Sequence, residues 1–173
     1  MREDVKITKV YRFEELSEEA QQKVLEKLCD VNVDYPWWDC VYADAETAGV
    51  KIEEFDLDRG SYCRGRFLYD EWEVAANIIR EHGKDCETYK DAYEFVWAFA
   101  IEEDAARNGL SNEDVADFEL DDCDDLLDEF RQTIFEDYRS ILQTEYDYLT
   151  SEEAIRETID ANDYEFTEDG RIY

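Results

Sequence analysis

Between residues 102 and 129 the chain carries 13 acidic side chains and a single basic one, Arg107. An acid density of this order is the usual mark of a disordered tail, because such a segment cannot bury enough apolar surface to offset its ordering entropy. The whole chain shares the bias, with 49 Asp and Glu against 18 Lys and Arg in 173 residues and a formal charge of -31. Against disorder stand 44% hydrophobic residues and 14% aromatic ones, including 4 Trp, 12 Tyr and 9 Phe. Acidic tails lack aromatics, so the chain reads as a folded protein with an acidic skin. Its length suits one domain, 1–173, and no Pro/Gly/Ser-rich linker or internal repeat divides it. The charge does divide it: residues 1–70 hold 17 acids and 10 bases, residues 71–173 hold 32 acids and 8 bases.

This composition excludes several functions. Direct nucleic-acid binding needs Lys and Arg to neutralise phosphates, and an anionic membrane surface needs them equally. No apolar run approaches the ~20 residues of a membrane-spanning helix, and the first residues, Met1-Arg2-Glu3-Asp4, carry no signal-peptide core. The five cysteines, at 29, 40, 63, 86 and 123, are odd in number and widely spaced. They read as reduced thiols of a cytoplasmic protein, mostly core filler, rather than as a disulfide frame or a zinc site.

Periodicity predicts an α+β fold, a small antiparallel sheet packed against several helices. Residues 5–13 alternate loosely as a strand. Ser17 caps a helix to about Cys29, with Ala20, Val24 and Leu28 on one face. Asp34-Tyr35-Pro36 opens a second helix whose stripe is Trp38, Val41, Tyr42 and Ala45, ended by Gly49. Residues 50–57 and 61–69 form a hairpin turning at Asp58-Arg59-Gly60-Ser61, where Gly60 supplies a positive φ. Helices follow over about 71–82 and 86–108, the latter with Tyr89, Tyr93, Val96, Trp97 and Ala100 as its buried face. An acidic helix begins at Ser111 and Asp114, breaks near Asp121 and continues to about Tyr148, with Leu126, Phe130, Ile134, Tyr138 and Ile141 as its stripe. Thr150-Ser151-Glu152-Glu153 is a capping box for a last helix to about Asn162, and the tail turns as a small hairpin at Asp169-Gly170.

Catalytic signatures are sparse. The one histidine, His82, sits at a helix C-terminus and reads as a solvated, helix-ending residue rather than a member of a triad. No phosphate loop, dinucleotide fingerprint or nucleophile elbow occurs. Asp56-Leu57-Asp58-Arg59-Gly60 lacks the closing Glu of a calcium loop, since position 67 is Phe. Overlapping DDxxD patterns do occur over Asp121–Asp125 and Asp124–Asp128. Carboxylates at i and i+4 share a helix face, so Asp121, Asp122, Asp125 and Asp128 define one alternative, a Mg²⁺-dependent phosphoester or diphosphate enzyme. In so acidic a chain such matches arise by chance. The expectation is a protein that is not an enzyme and holds no cofactor or metal.

The charge has a sharper reading. A compact domain of this length is about 40 Å across. Duplex DNA of that length carries about 24 charges, comparable to the protein's -31. Acids at i, i+3 and i+4 on a helix stand roughly 5–6 Å apart at Cβ, and their carboxylates fan out toward phosphate-like spacing. The candidate contact residues are Glu113, Asp114, Asp117, Asp121, Asp122, Asp124, Asp125, Asp128 and Asp137, with Tyr146 and Tyr148 as apolar anchors at the edge.

Tyr11-Arg12-Phe13-Glu14-Glu15-Leu16-Ser17, Phe55–Cys63 and Tyr164–Gly170 resemble a family of small acidic proteins of phages and other mobile elements. In style rather than in motif, the acidic helical half is similar to phage proteins that mimic DNA and block restriction enzymes or CRISPR effectors. The resemblance implies an anti-defence inhibitor in the host cytoplasm, its partner a nucleic-acid-binding defence protein. A second alternative is an antitoxin or regulatory partner of a basic protein. The sequence leaves the oligomeric state open.

Overall fold

The computed structural model describes the backbone of residues 8–107 and 121–173, and the side chains of 8–100 and 124–173. The described residues hold six α-helices and one two-stranded antiparallel sheet, an α+β fold as the periodicity predicts. The helices are α1 (Glu18–Lys27), α2 (Asp39–Ala48), α3 (Glu71–Glu81), α4 (Glu87–Arg107), α5 (Asp121–Leu149) and α6 (Glu152–Ala161), and the strands are β1 (Val50–Asp56) and β2 (Tyr62–Phe67). The chain forms two compact units: a terminal one, Met1–Trp37 with Thr144–Tyr173, and a central one, Trp38–Gln143. This division does not follow the step in charge at residue 70.

In the terminal unit α1 starts where Ser17 accepts a hydrogen bond from the Ala20 amide, and α6 where Ser151 accepts one from the Ala154 amide. Each hydroxyl satisfies one amide that the first turn leaves without a partner. Ser151→Ala is expected to lower the stability of α6 by about 1 kcal/mol, read as faster amide exchange across α6 with little change elsewhere. Phe13, Leu16, Ala20, Val24, Leu25, Ile155, Ile159 and Phe166 form the core of this unit. Phe13 and Phe166 meet edge to face at 6.3 Å. Buried Asn32 donates to the Leu149 carbonyl at 3.0 Å and accepts from the Thr158 hydroxyl at 2.6 Å.

Two sequence expectations change here. The predicted strand over 5–13 is, in its described part, a single antiparallel bridge between Tyr11 and Phe166 followed by a 3₁₀ turn at Phe13–Glu15. The Glu15 carboxylate accepts from the Arg12 amide at 2.8 Å and the Glu15 amide donates to the Arg12 carbonyl at 3.1 Å, and this pair of bonds turns the chain out of extended geometry after one paired residue. The expected tail hairpin likewise reduces to the Phe166–Ile172 bridge around the turn at Gly170. Among the described residues neither segment joins the sheet, which is β1–β2.

The central unit contains that hairpin. β1 and β2 pair from Val50↔Phe67 to Asp56↔Tyr62, with a bulge between Ile52 and Glu54. Without the bulge, strict alternation from Val50 and Ile52 would turn Glu54 inward and Phe55 outward. With it, Phe55 reaches the α2 aromatics, edge-on to Trp38 at 5.5 Å and to Tyr42 at 6.2 Å. Helix α2 begins at Asp39, three residues past Pro36, and ends at Gly49 in the left-handed region.

On α4 the buried face differs from the predicted one. Thr88, Ala92 and Phe95 are buried, whereas Tyr93 is 54% and Trp97 61% exposed. Two apolar stripes compete on this helix. The stripe with the small residues Thr88 and Ala92 wins because it lets α3 pack close, and it carries Phe95 to a stacked contact with Phe130 of α5 at 4.2 Å. On α5 the buried series is Phe130, Ile134, Tyr138 and Leu142, one residue beyond the predicted Ile141, which is 39% exposed.

Candidate functional site

Helix α5 shows two different charged faces within the central unit. On the side of β2 its acids are neutralised. Asp128 pairs with Arg131, which also reaches Glu71 of α3, and Glu136 accepts from Arg139 Nε at 2.8 Å. The Arg139 hydrogen bond holds the Glu136 carboxyl below the usual range. A groove of 610 Å³ on this side is lined by both signs of charge, including Arg64, Asp128, Arg131 and Glu136.

On the side of α4 the balance is different. A groove of 220 Å³ is lined by Asp91, Glu94, Phe95, Ala98, Leu126, Glu129, Phe130 and Thr133. Among the described residues, carboxylates from both helices line its rim and no Lys or Arg does. Phe95 and Phe130, stacked on one another, form its apolar lining. The nearest cation along α4, Lys90, is held by Glu87 at 2.6 Å.

Asp137 lies further along the same helix-helix seam. It is half-buried, and one carboxyl oxygen is enclosed with no hydrogen-bond partner among the described residues. Burial, then the charges of Asp91, Glu87 and Glu136, push its pKa up to about 7. A hydrogen bond with Asp91 needs a proton on one of the two carboxyls, because ionised carboxylates only accept. Near neutral pH the Asp137 carboxyl therefore carries that proton for part of the time.

A second polar series runs through the unit. Tyr138 is fully buried and donates to Asp44 Oδ2 at 3.2 Å. Burial and the neighbouring Asp44 raise the Tyr138 hydroxyl well above its ordinary range. His82 Nε2 lies 3.5 Å from the same oxygen, close enough for electrostatic attraction but without a satisfying hydrogen bond, and His82 Nδ1 is 2.8 Å from Thr88 Oγ1. The His82 side chain is only 7% exposed, so the expected solvated, helix-ending histidine is instead a buried tie. It does end α3, as its C-cap. The order Thr88, His82, Asp44 resembles a relay, but Thr88 is 2% exposed and its hydroxyl cannot be presented to a substrate. The series pins α4, the end of α3, α2 and α5 together.

The chain matches no protein-family model, no curated protein and no solved structure.

Among the predicted contact residues, Asp124, Asp125 and Asp128 are exposed on α5. Asp124 and Asp128 stand one turn apart on one face, and Asp125 with Glu129 on the next. Glu113, Asp114 and Asp117 lie outside the described residues. Asp121 and Asp122 open α5, with side chains outside the description. Asp137 departs from expectation, since its carboxyl is half enclosed against Asp91 instead of standing in an outward row. Tyr146 is also half-buried, its ring 5.7 Å from Trp37. Tyr148 is 51% exposed, and its hydroxyl reaches Glu157 at 3.4 Å.

Among the described residues no three His, Cys, Asp or Glu side chains stand together as a metal site, a statement that covers neither Asp121 nor Asp122. Nor is any described helix long and apolar enough to cross a membrane. Of the described cysteines, Cys29, Cys40 and Cys86 are exposed and only Cys63 is core, its thiol pushed up to about 11 by burial. The expectation that the cysteines mostly fill the core therefore fails for three of these four.

Sequence reading missed Asp91, Glu94 and Glu129. The signal lay in α4 itself, where Glu87, Asp91 and Glu94 recur at helical spacing beside the Thr88, Ala92, Phe95 stripe. Once that stripe is recognised as the buried one, the acids fall on its border.

Proposed function

We propose that this chain is a non-enzymatic anti-defence inhibitor. It acts in the cytoplasm of a host cell and occupies the basic nucleic-acid channel of a defence protein, a CRISPR effector or a restriction enzyme. The observation that supports this reading best is the asymmetry of α5. Its β2 side is self-neutralised by Arg131 and Arg139, while the rim it shares with α4 presents Asp91, Glu94 and Glu129 and, among the described residues, no lining cation. Opposed carboxylates on two adjacent helices approximate two lines of negative charge. Exposed Asp124 and Asp125 extend the acids along α5, while Asp128 is paired with Arg131, and the acid-rich run through Glu113, Asp114, Asp117, Asp121 and Asp122 precedes them.

A channel built for phosphates recognises such a surface by charge. The overall -31 steers encounter over distances greater than contact. Binding displaces the counterions of both partners, so affinity falls as salt rises. Side chains of a folded protein offer no phosphodiester to cut and no duplex to unwind, so the occupied channel is blocked.

The test is capture from host lysate at low and moderate salt, followed by competition with nucleic acid for the captured protein. A nucleic-acid-handling protein should be recovered, its complex weakened at least tenfold between about 0.05 and 0.5 M salt and displaced by DNA or RNA. Reversing Asp91, Glu94, Asp125 and Glu129 together to Lys should abolish capture, while each single reversal costs little. Recovery of metabolic enzymes alone, or a partner that holds this chain and nucleic acid at the same time, would rule the mechanism out.

A further inference from the structure

Helix α4 leaves an aromatic stripe uncovered. Tyr89, Tyr93 and Trp97 recur at four-residue spacing along one face, and Tyr93 and Trp97 are more than half exposed. The rings of Tyr89 and Tyr93 are stacked, 6.2 Å apart and within 7° of parallel. Large aromatics are normally sequestered, and three in a row on one turn-to-turn line form an ordered platform instead of scattered surface residues.

The flanks decide what such a platform can accept. On one side the helix turns inward to Thr88, Ala92 and Phe95, which are buried. On the other side the next positions around the helix are Lys90, held by Glu87 at 2.6 Å, and Glu94, one turn before Trp97; Glu94 also lines the α4–α5 groove. The stripe is therefore bordered along one edge by the exposed acid Glu94 and by a lysine already paired with Glu87. An anionic ligand, whether nucleic acid or lipid headgroup, is repelled by this rim and by the -31 field. A second copy of this chain meets the same repulsion. A neutral apolar helix would cover the rings but strip water from Glu94 with nothing to replace it. Arginine satisfies both features at once: its planar guanidinium stacks on Tyr and Trp faces and its remaining N–H groups pair with a carboxylate. Lysine supplies the charge without the stacking plane.

We propose that the Tyr89, Tyr93, Trp97 stripe is a docking surface for arginine side chains of a basic protein partner, with Glu94 as the pairing acid. This rests on the reading of the chain as a binder of basic proteins, and adds that the contact centres on α4 aromatics and distinguishes arginine from lysine.

The full-length protein is titrated with octa-arginine and with octa-lysine, following tryptophan emission and, independently, calorimetric heat. Octa-arginine should bind roughly fivefold to tenfold more tightly. Trp97→Ala and Tyr93→Ala should each bring the ratio of the two affinities toward one while leaving octa-lysine binding almost unchanged, and circular dichroism should show both variants folded, since both rings are exposed. Glu94→Gln should weaken both peptides. Equal affinities in the parent protein, or an arginine preference that survives both ring deletions, would overturn the docking surface and leave the acidic-binder reading intact. If neither peptide binds at moderate salt, both readings fail together. A Trp97 shielded from acrylamide, judged by comparing the parent with Trp97→Ala, would mean that this chain's own residues cover the stripe, and would also overturn the proposal.

Discussion

Gly65→Ala should unfold the central unit more readily than any surface change, by about 3 kcal/mol. A Cβ at residue 65 would stand 1.9 Å from the Lys51 carbonyl oxygen and 2.9 Å from its carbon. Both are backbone atoms of the paired strand, so no side chain can swing aside. Gly65 sits opposite Ile52, at the edge of the bulge that rephases β1. Relief would require the strands to part, with loss of ladder hydrogen bonds worth about 1 kcal/mol each and retreat of buried Ile52 and half-buried Phe55 from the α2 aromatics. Gly60→Ala is the matched control. Its φ is +83° but nothing lies within 4 Å, so only the left-handed backbone penalty applies, about 1–2 kcal/mol. Urea unfolding followed by tryptophan emission reports both, because Trp38 packs edge-on against Phe55. A Gly65→Ala protein within half a kcal/mol of the parent would show that the strands do not approach this closely.

Asp137→Asn is expected to stabilise the protein above neutral pH and to flatten its pH dependence. The Asp137 carboxyl titrates at about 7 in the folded protein against an ordinary value of 3.8. Between these two values the folded state binds a proton that the unfolded state lacks. Its contribution to stability is thus complete below the lower value, falls as pH rises toward 7, and is flat above. The whole shift would amount to ~4 kcal/mol at 1.36 per unit. The group is only half-buried, and solvent screening leaves about 1–2 kcal/mol. The causes are burial first, then Asp91 and Glu87 across the seam on α4 and Glu136 on its own helix. Asparagine keeps the shape and can donate to Asp91 at every pH. Unfolding of parent and variant in urea at pH 5 and pH 8 should show the parent losing about 1–2 kcal/mol more than the variant across that interval. Parallel losses would mean that Asp137 is not the group that titrates. Repulsion among the remaining acids affects both proteins alike, so the difference isolates this carboxyl.

The acid-lined seam was half legible. Exposure of Asp124, Asp125 and Asp128 follows from their density, because so many carboxylates near one another cannot be enclosed. Asp137 follows no such rule. Its position is set by the buried stripe of α5, where Ile134 and Tyr138 flank it, and a residue beside a stripe is drawn partly inside with it. His82 escaped for a related reason. A lone histidine before a glycine looks solvated until α2 and α4 bring Asp44 and Thr88 to its two ring nitrogens.

Local features were readable because local forces decide them. The caps at Ser17 and Ser151, the turn at Gly60 and the stop at Gly49 each involve residues within a few positions of one another. The net charge needs no coordinates at all. Tertiary structure alone decided between competing stripes on one helix. On α4 both Tyr89, Tyr93, Trp97 and Thr88, Ala92, Phe95 satisfy a helical period, and the choice fell to the set whose small members admit a neighbouring helix. Likewise residues 8–13 alternate like a strand but, among the described residues, pair only at Tyr11 with Phe166, since the turn tied by Arg12 and Glu15 leads the chain away. Hydrophobic period fixes which residues share a face, whereas the shape of the opposing surface determines which face is buried.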